Sequence, residues 1–203
     1  MLLIDLQYLG SAIYYKNLIK SKYIIIEQCE RWQKMSFRNR CSIAGGNGRI
    51  DLSIPIIGGR NSDEMIREVK IDNLQKWQKV HWRSITSAYN HSPWFEFYKD
   101  GLEIFYNRHY TFLWDFNFDL MQWVLKQLKA PVEIAFTNEY KKIYDEQEMM
   151  DMRNKILPRT LDSFTGESPV YRQVFEEKLG FIPCLSILDL LFCEGNNALH
   201  LLT

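Results

Sequence analysis

The sequence predicts an α+β protein: a mixed β-sheet from the N-terminal half packed against several C-terminal helices in a single domain. Three observations carry that expectation. β-branched and apolar runs bounded by turn residues fill the first third of the chain, whereas helical periodicity dominates from Leu74 onward. A length of 203 residues suits one well-buried core. No internal repeat and no Pro- or Ser-rich linker divides the chain, so residues 1–203 read as one unit.

Taken in order, Met1 to Leu9 reads as a strand, broken by Gly10-Ser11, and Ala12 to Ile19 as a short helix. Tyr23 to Glu27 is β-branched and reads as a buried strand. Phe37 to Ala44 and Arg49 to Ile56 flank Gly45-Gly46-Asn47-Gly48, residues that tolerate positive φ, and so predict a hairpin. Val69 to Ile71 reads as a further short strand. Between Leu74 and Asn90, a spacing of about 100° per residue puts Trp77, His81, Ile85, Ala88 and Tyr89 on one side with Leu74, and Lys76, Lys79 and Arg83 opposite. Asp72 or Asn73 is its expected cap. Pro93 to about Asn107 and Phe112 to Lys129 are further helices, and Val132 to Phe136 returns as a strand. Thr137 to Pro158 is charged and sparsely apolar, which predicts an exposed, mobile insertion. Thr160 to Pro169 reads as loop and Tyr171 to Leu179 as an amphipathic helix. Ser186 with Asp189 three residues on resembles a capping box, and Gly195 suits the position past the last turn.

Composition narrows the function. Lys plus Arg and Asp plus Glu balance at 25 each, so no basic excess draws the chain to nucleic acid. Four cysteines without a CxxC pair, and four histidines without ligand spacing, predict reduced thiols and neither a metal nor a cofactor. The N-terminus lacks a signal peptide's basic region, and no apolar run reaches the ~20 residues of a membrane span, so a cytoplasmic protein is expected.

Three groups of residues suggest chemistry. His81 sits mid-arc on an apolar helix face; it reads either as a general base kept neutral by burial or as a core histidine bonded to a carbonyl or tyrosine. Arg38 and Arg40, on one face of a strand, would grip a phosphate or carboxylate, or else guard an edge strand; Asn39 points the other way. Asp189 would orient His81, or it simply belongs to a helix start with Ser186. Gly45 to Gly48 lacks the lysine and following helix of a phosphate loop.

Three stretches together carry a resemblance: WQKMSFRNRCSI (Trp32 to Ile43), WQKVHWRSITSAYNHSPWFEFY (Trp77 to Tyr98) and YRQVFEEKLGFIPCLSILDLLFCEG (Tyr171 to Gly195). The chain resembles the WbqC-like family, bacterial proteins found with polysaccharide and O-antigen biosynthesis. The matching positions are Lys34, Arg38, Asn39, Arg40, His81, Tyr89, Pro93, Gln173, Ser186, Asp189 and Gly195, with Asp151 and Arg153 similar to the family's acidic-x-Arg element. Gly10-Ser11-Ala12 stands where the family usually carries a proline. The resemblance implies a transferase in surface-polysaccharide assembly, taking a nucleotide sugar or sugar-linked intermediate. His81 and Asp189 would be catalytic in it, with Lys34, Arg38, Asn39, Arg40, Tyr89, Arg153, Gln173 and Ser186 around the substrate. An acyl or aminoacyl transferase acting on an amino sugar, or a non-catalytic glycan- or partner-binding protein, are the other readings.

Overall fold

The computed structural model describes residues 1–59, 62–145 and 147–203. Its fold is α+β. Strand β1 (Leu2–Ile4) leads through helix α1 (Ala12–Ser21) to β2 (Tyr23–Ile26), and the β-branched Ile24–Ile26 run pairs in parallel with Leu2–Ile4. The hairpin follows as β3 (Arg40–Gly45) and β4 (Gly48–Ser53), antiparallel. Helices α2 (Trp77–Tyr89), α3 (Phe95–Asn107) and α4 (Leu113–Gln127) come next, then β5 (Glu133–Phe136) and β6 (Met150–Asp151). Helices α5 (Glu176–Leu179), α6 (Ile187–Glu194) and α7 (Ala198–Leu202) close the chain. The strand set is mixed: parallel in a four-stranded sheet ordered β5-β2-β1-β6, antiparallel in the hairpin.

That order decides where a site can form. From β1 the chain crosses to β2 and then to β5 on one side, while β6 lies on the other. The connections part at β1, and in open parallel sheets the crevice beyond the strands' carboxyl ends at such a point is where ligands bind.

Local chemistry explains most boundaries. Ser11 caps α1 by accepting the Tyr14 amide at 3.4 Å, and Ser186 caps α6 by accepting that of Leu188 at 3.4 Å. Asp189 does not close a capping box, because its carboxylate is engaged elsewhere. Helix α2 buries Trp77, His81, Ile85, Ala88 and Tyr89, as its period demands, but starts three residues later than its apolar pattern, leaving Leu74 95% exposed. Asp72 accepts the Leu74 amide ahead of the helix rather than capping it.

Other expectations are corrected. Val69 to Ile71 forms isolated bridges, Ile71 with Ile56 and Lys70 with Phe112, since no partner continues alongside it. Leu161–Glu167 is a 3₁₀ helix inside the expected loop, and the helix expected from Tyr171 shrinks to Glu176–Leu179. The largest correction is at 137–158. Its first part is exposed, but Met150–Asp151 pairs with β1, Ile156 and Arg153 are buried, and Gln7 donates to the Ile156 carbonyl. Two residues suffice for that strand because their ladder partner is already fixed.

Gly195 ends α6 at φ +54°, a conformation that strains residues with a Cβ. A Cβ there would stand 2.1 Å from Cδ2 of Trp94, which packs over it. Gly195→Ala is expected to lower stability by about 2–5 kcal/mol. Denaturant unfolding followed by tryptophan fluorescence checks this; an unchanged midpoint contradicts the packing described.

Candidate functional site

Each parallel strand hands on a polar residue as it ends. Asp5 follows β1, Glu27 follows β2, Thr137 follows β5, and Arg153 lies two residues past β6. All four are buried, together with Glu30 and Arg38. Charges so placed must find partners, because desolvation costs several kcal/mol per ion. Glu27 receives the Thr137 hydroxyl at 2.6 Å, the Cys29 amide at 2.8 Å and Arg153 Nη1 at 2.8 Å. Arg153 also donates from Nε at 3.0 Å and from Nη2 at 2.6 Å to the Asp151 carboxylate. Arg38 forks onto Glu30 at 2.7 and 2.6 Å and donates to Asn154 Oδ1 at 3.0 Å. Its Nη1 lies 3.7 Å from Asp5, whose other oxygen takes the Asn154 amide at 2.8 Å. Asn154 holds φ at +55°, and its left-handed backbone lets amide and side chain serve two partners.

Two clefts open onto this network. One of about 730 Å³ is lined by Tyr140, Lys142, Tyr144, Asp151, Arg153 and Lys155, among others. A neighbour of about 400 Å³ is lined by Cys29, Glu30, Arg31, Gln33, Met65, Tyr140 and Asn154. They share Tyr140 and Asn154. The Arg153 guanidinium stacks against both Tyr140 and Tyr144, 5.0 and 5.1 Å from the ring centres.

The electrostatics differ within the network. Burial pushes the Glu30 carboxyl up to about 7, outweighing the pull of Arg38. For Asp151, burial acts upward but the hydrogen bonds from Arg153 win and hold it below the usual range. Burial works against the charge of Arg38, yet Asp5 and Glu30 keep it cationic. A carboxylate poised near neutrality beside a cleft can hold or release a proton at working pH. Among the described residues no three His, Cys, Asp or Glu side chains gather as a metal site.

Comparison with known proteins follows this geometry. The family model described as the WbqC-like protein family matches residues 7–161. The chain belongs to the WbqC-like protein family. The match takes in the hairpin, α2 and the Asp151–Arg153 element, but Tyr171 to Gly195 lies beyond it. The chain is also 25% identical over 199 residues to the uncharacterized protein Rv1507c of Mycobacterium tuberculosis (strain ATCC 25618 / H37Rv), covering 87% of this chain and 85% of that one. No solved structure matches.

The residues this WbqC-like chain was expected to gather lie in separate places. His81 is 4% exposed in the helical core, not in a cleft. A carbonyl cannot donate, so its Nε2–H donates to the Ser53 carbonyl at 3.2 Å, and Nδ1 accepts the Tyr8 hydroxyl at 3.0 Å. Tyr8 in turn meets the Tyr106 hydroxyl at 2.7 Å. Asp189 does not orient that ring: it accepts Tyr89 at 2.8 Å and Tyr171 at 2.7 Å, and burial raises its carboxyl. Tyr89 also receives the Ala44 amide, Gln173 exchanges two hydrogen bonds with the Ile182 backbone, and Ser186 donates to the Leu9 carbonyl. Tyr89 and Asp189 link the hairpin to the C-terminal segment, Ser186 links that segment to the turn before α1, and Gln173 braces the segment internally.

Arg38 and Arg40 do not share a face: Arg38 precedes β3 and turns into the charge network, while Arg40 bonds Ser53 Oγ at 3.2 Å. Asn39 donates to the Ile54 carbonyl, and Lys34 is exposed. Of the expected set, only Arg38 and Arg153 reach the strand ends. Asp5, Glu27, Glu30, Asn154 and Tyr140 were missed. The available signal was a carboxylate directly after each of the first two apolar strand runs.

The His81 contacts set a test of acid stability. Burial lowers its pKa to about 4, so the unfolded chain takes up a proton first as pH falls. The histidine's contribution is whole above about 6.5 and is lost on the way down to about 4. His81→Gln is expected to remove on the order of 3 kcal/mol of that acid-dependent loss. Denaturant midpoints across this range check it; parallel curves for the two proteins contradict the buried neutral ring.

Proposed function

We propose that this chain is a cytoplasmic transferase of bacterial surface-polysaccharide assembly, working at the carboxyl edge of its parallel sheet with Glu30 as general base. The pathway comes from the family resemblance. The observation that carries the site is Glu30 itself, a buried residue lining a cleft, its carboxylate held by Nε and Nη2 of Arg38 and pushed by burial up to about 7. The general-base role assigned to His81 from sequence passes to this residue.

In this reading an acceptor O–H or N–H lies in the smaller cleft and gives its proton to the Glu30 carboxylate. The freed electron pair forms a bond to the donor's electrophilic carbon. The donor's leaving group departs with its bonding pair, as an anion, toward Lys142 and Lys155 at the larger cleft. Arg38 is a positioning residue that fixes the carboxylate, and Asn154 ties Arg38 to Asp5.

The test is turnover of a panel of nucleotide sugars with sugar acceptors, followed by mass spectrometry. Glu30→Gln, nearly isosteric, is expected to cut turnover by about 10²–10⁴-fold while the protein stays folded. Undiminished turnover in that variant contradicts the assignment. Tight binding of a donor without turnover favours the glycan-binding reading instead.

A further inference from the structure

We propose that the acceptor is a primary amine, seated as its ammonium against Glu30; this rests on the site assigned above. Charge balance at the strand ends favours a cation there. Asp5, Glu27, Glu30 and Asp151 face Arg38 and Arg153, so among the described residues, with Glu30 ionised, four carboxylates meet two guanidiniums; Lys155 acts on Asp151 from the larger cleft, which leaves one negative charge at the strand ends without a cation. Neutral donors share in holding the carboxylates: the Cys29 and Asn154 amides, the Thr137 hydroxyl and the Gln7 amide. Dipoles of this kind ease the desolvation without supplying a compensating charge.

The smaller cleft meets that excess. Its lining includes Glu30 and Asn154, with Tyr140 and Cys29 beside them. Among the described residues, the guanidinium in its wall is that of Arg31, which is exposed and already paired with Asp63 at 3.1 Å, so it does not neutralise the floor. At about 400 Å³ the space takes a sugar-sized molecule. A hydroxyl acceptor would leave the imbalance untouched, whereas an ammonium offsets it. On reaction one N–H proton moves to Glu30, and nitrogen keeps the electron pair that attacks. The exposed Lys142 and Lys155 on the larger cleft are of opposite sign, so charge sorts a cationic acceptor from an anionic donor.

The groups facing Glu30 are Arg38, Asp5 and Glu27, with Arg31, Cys29, Asn154 and Tyr140 around the space. Glu30 is charged above about 7 and protonated below it, so amine recognition belongs to the higher range. Calorimetric titration of the whole protein with D-glucosamine, D-glucose and N-acetyl-D-glucosamine tests this at pH 7.5 and pH 5.5. Glucosamine is expected to bind at least about tenfold more tightly than the other two at the higher pH. The preference should vanish at the lower pH and in Glu30→Gln.

Equal binding of the three sugars, no binding of glucosamine at millimolar concentration, or a preference unchanged by pH each overturns the amine. The pH arm needs no variant, so it stands if Glu30→Gln misfolds. A hydroxyl acceptor turned over by the wild type, with no glucosamine preference, sinks only this proposal. Full turnover in Glu30→Gln sinks the transferase assignment, whatever the amines do.

Discussion

The structure depends on two buried guanidiniums bridging carboxylates at the ends of parallel strands. Arg38 is wholly inaccessible and joins the approach to the hairpin, the loop after β2 and the segment after β6. Arg153 fastens the β6 segment to Glu27, whose other oxygen holds Thr137 beyond β5. A parallel sheet this small has short strands, and β6 has only two residues. Its edge is kept in place by these ion pairs as much as by ladder bonds. Buried pairs of this kind seldom add net stability over apolar residues of similar volume, since desolvation offsets their attraction. Losing one member would still leave an uncompensated buried charge, so the pairs fix this arrangement even where they add little net stability.

The helical half contributes packing. Trp77, Tyr8, Tyr106 and Phe116 surround His81, with ring centres 5.2 Å apart for the Trp77 contact and 5.8 Å for Tyr8. A chain of hydroxyls and one backbone carbonyl satisfies both ring nitrogens of His81, which lets a polar ring sit in a hydrophobic layer at modest cost. Asp189 plays a similar part between Tyr89 and Tyr171. Both residues look like catalytic candidates in sequence because catalysis and satisfied burial use the same side chains.

What the sequence made legible was local. Glycine and asparagine marked the hairpin turn, Ser186 and Gly195 marked the two ends of α6, and helical period placed His81 on the buried face of α2. What it hid was long-range. The partners of His81 lie 73 and 28 positions away, and those of Arg38 include Asn154 at 116. No periodicity distinguishes Met150–Asp151 as a strand, because a two-residue edge has no pattern of its own. Charged composition made 137–158 read as an insertion, although its second half buries a guanidinium and a leucine-sized side chain to complete the sheet. The resemblance named Arg38, and Asp151 with Arg153, but not Asp5, Glu27 or Glu30, which complete the network.

The proposed function turns on the protonation of Glu30, and a carbon-13 NMR titration of its side-chain carboxyl in the intact protein reads it directly. The account predicts a midpoint near 7 for this carboxyl. A midpoint in the ordinary glutamate range, about 4 to 5, would contradict it and leave the charge network as scaffolding alone.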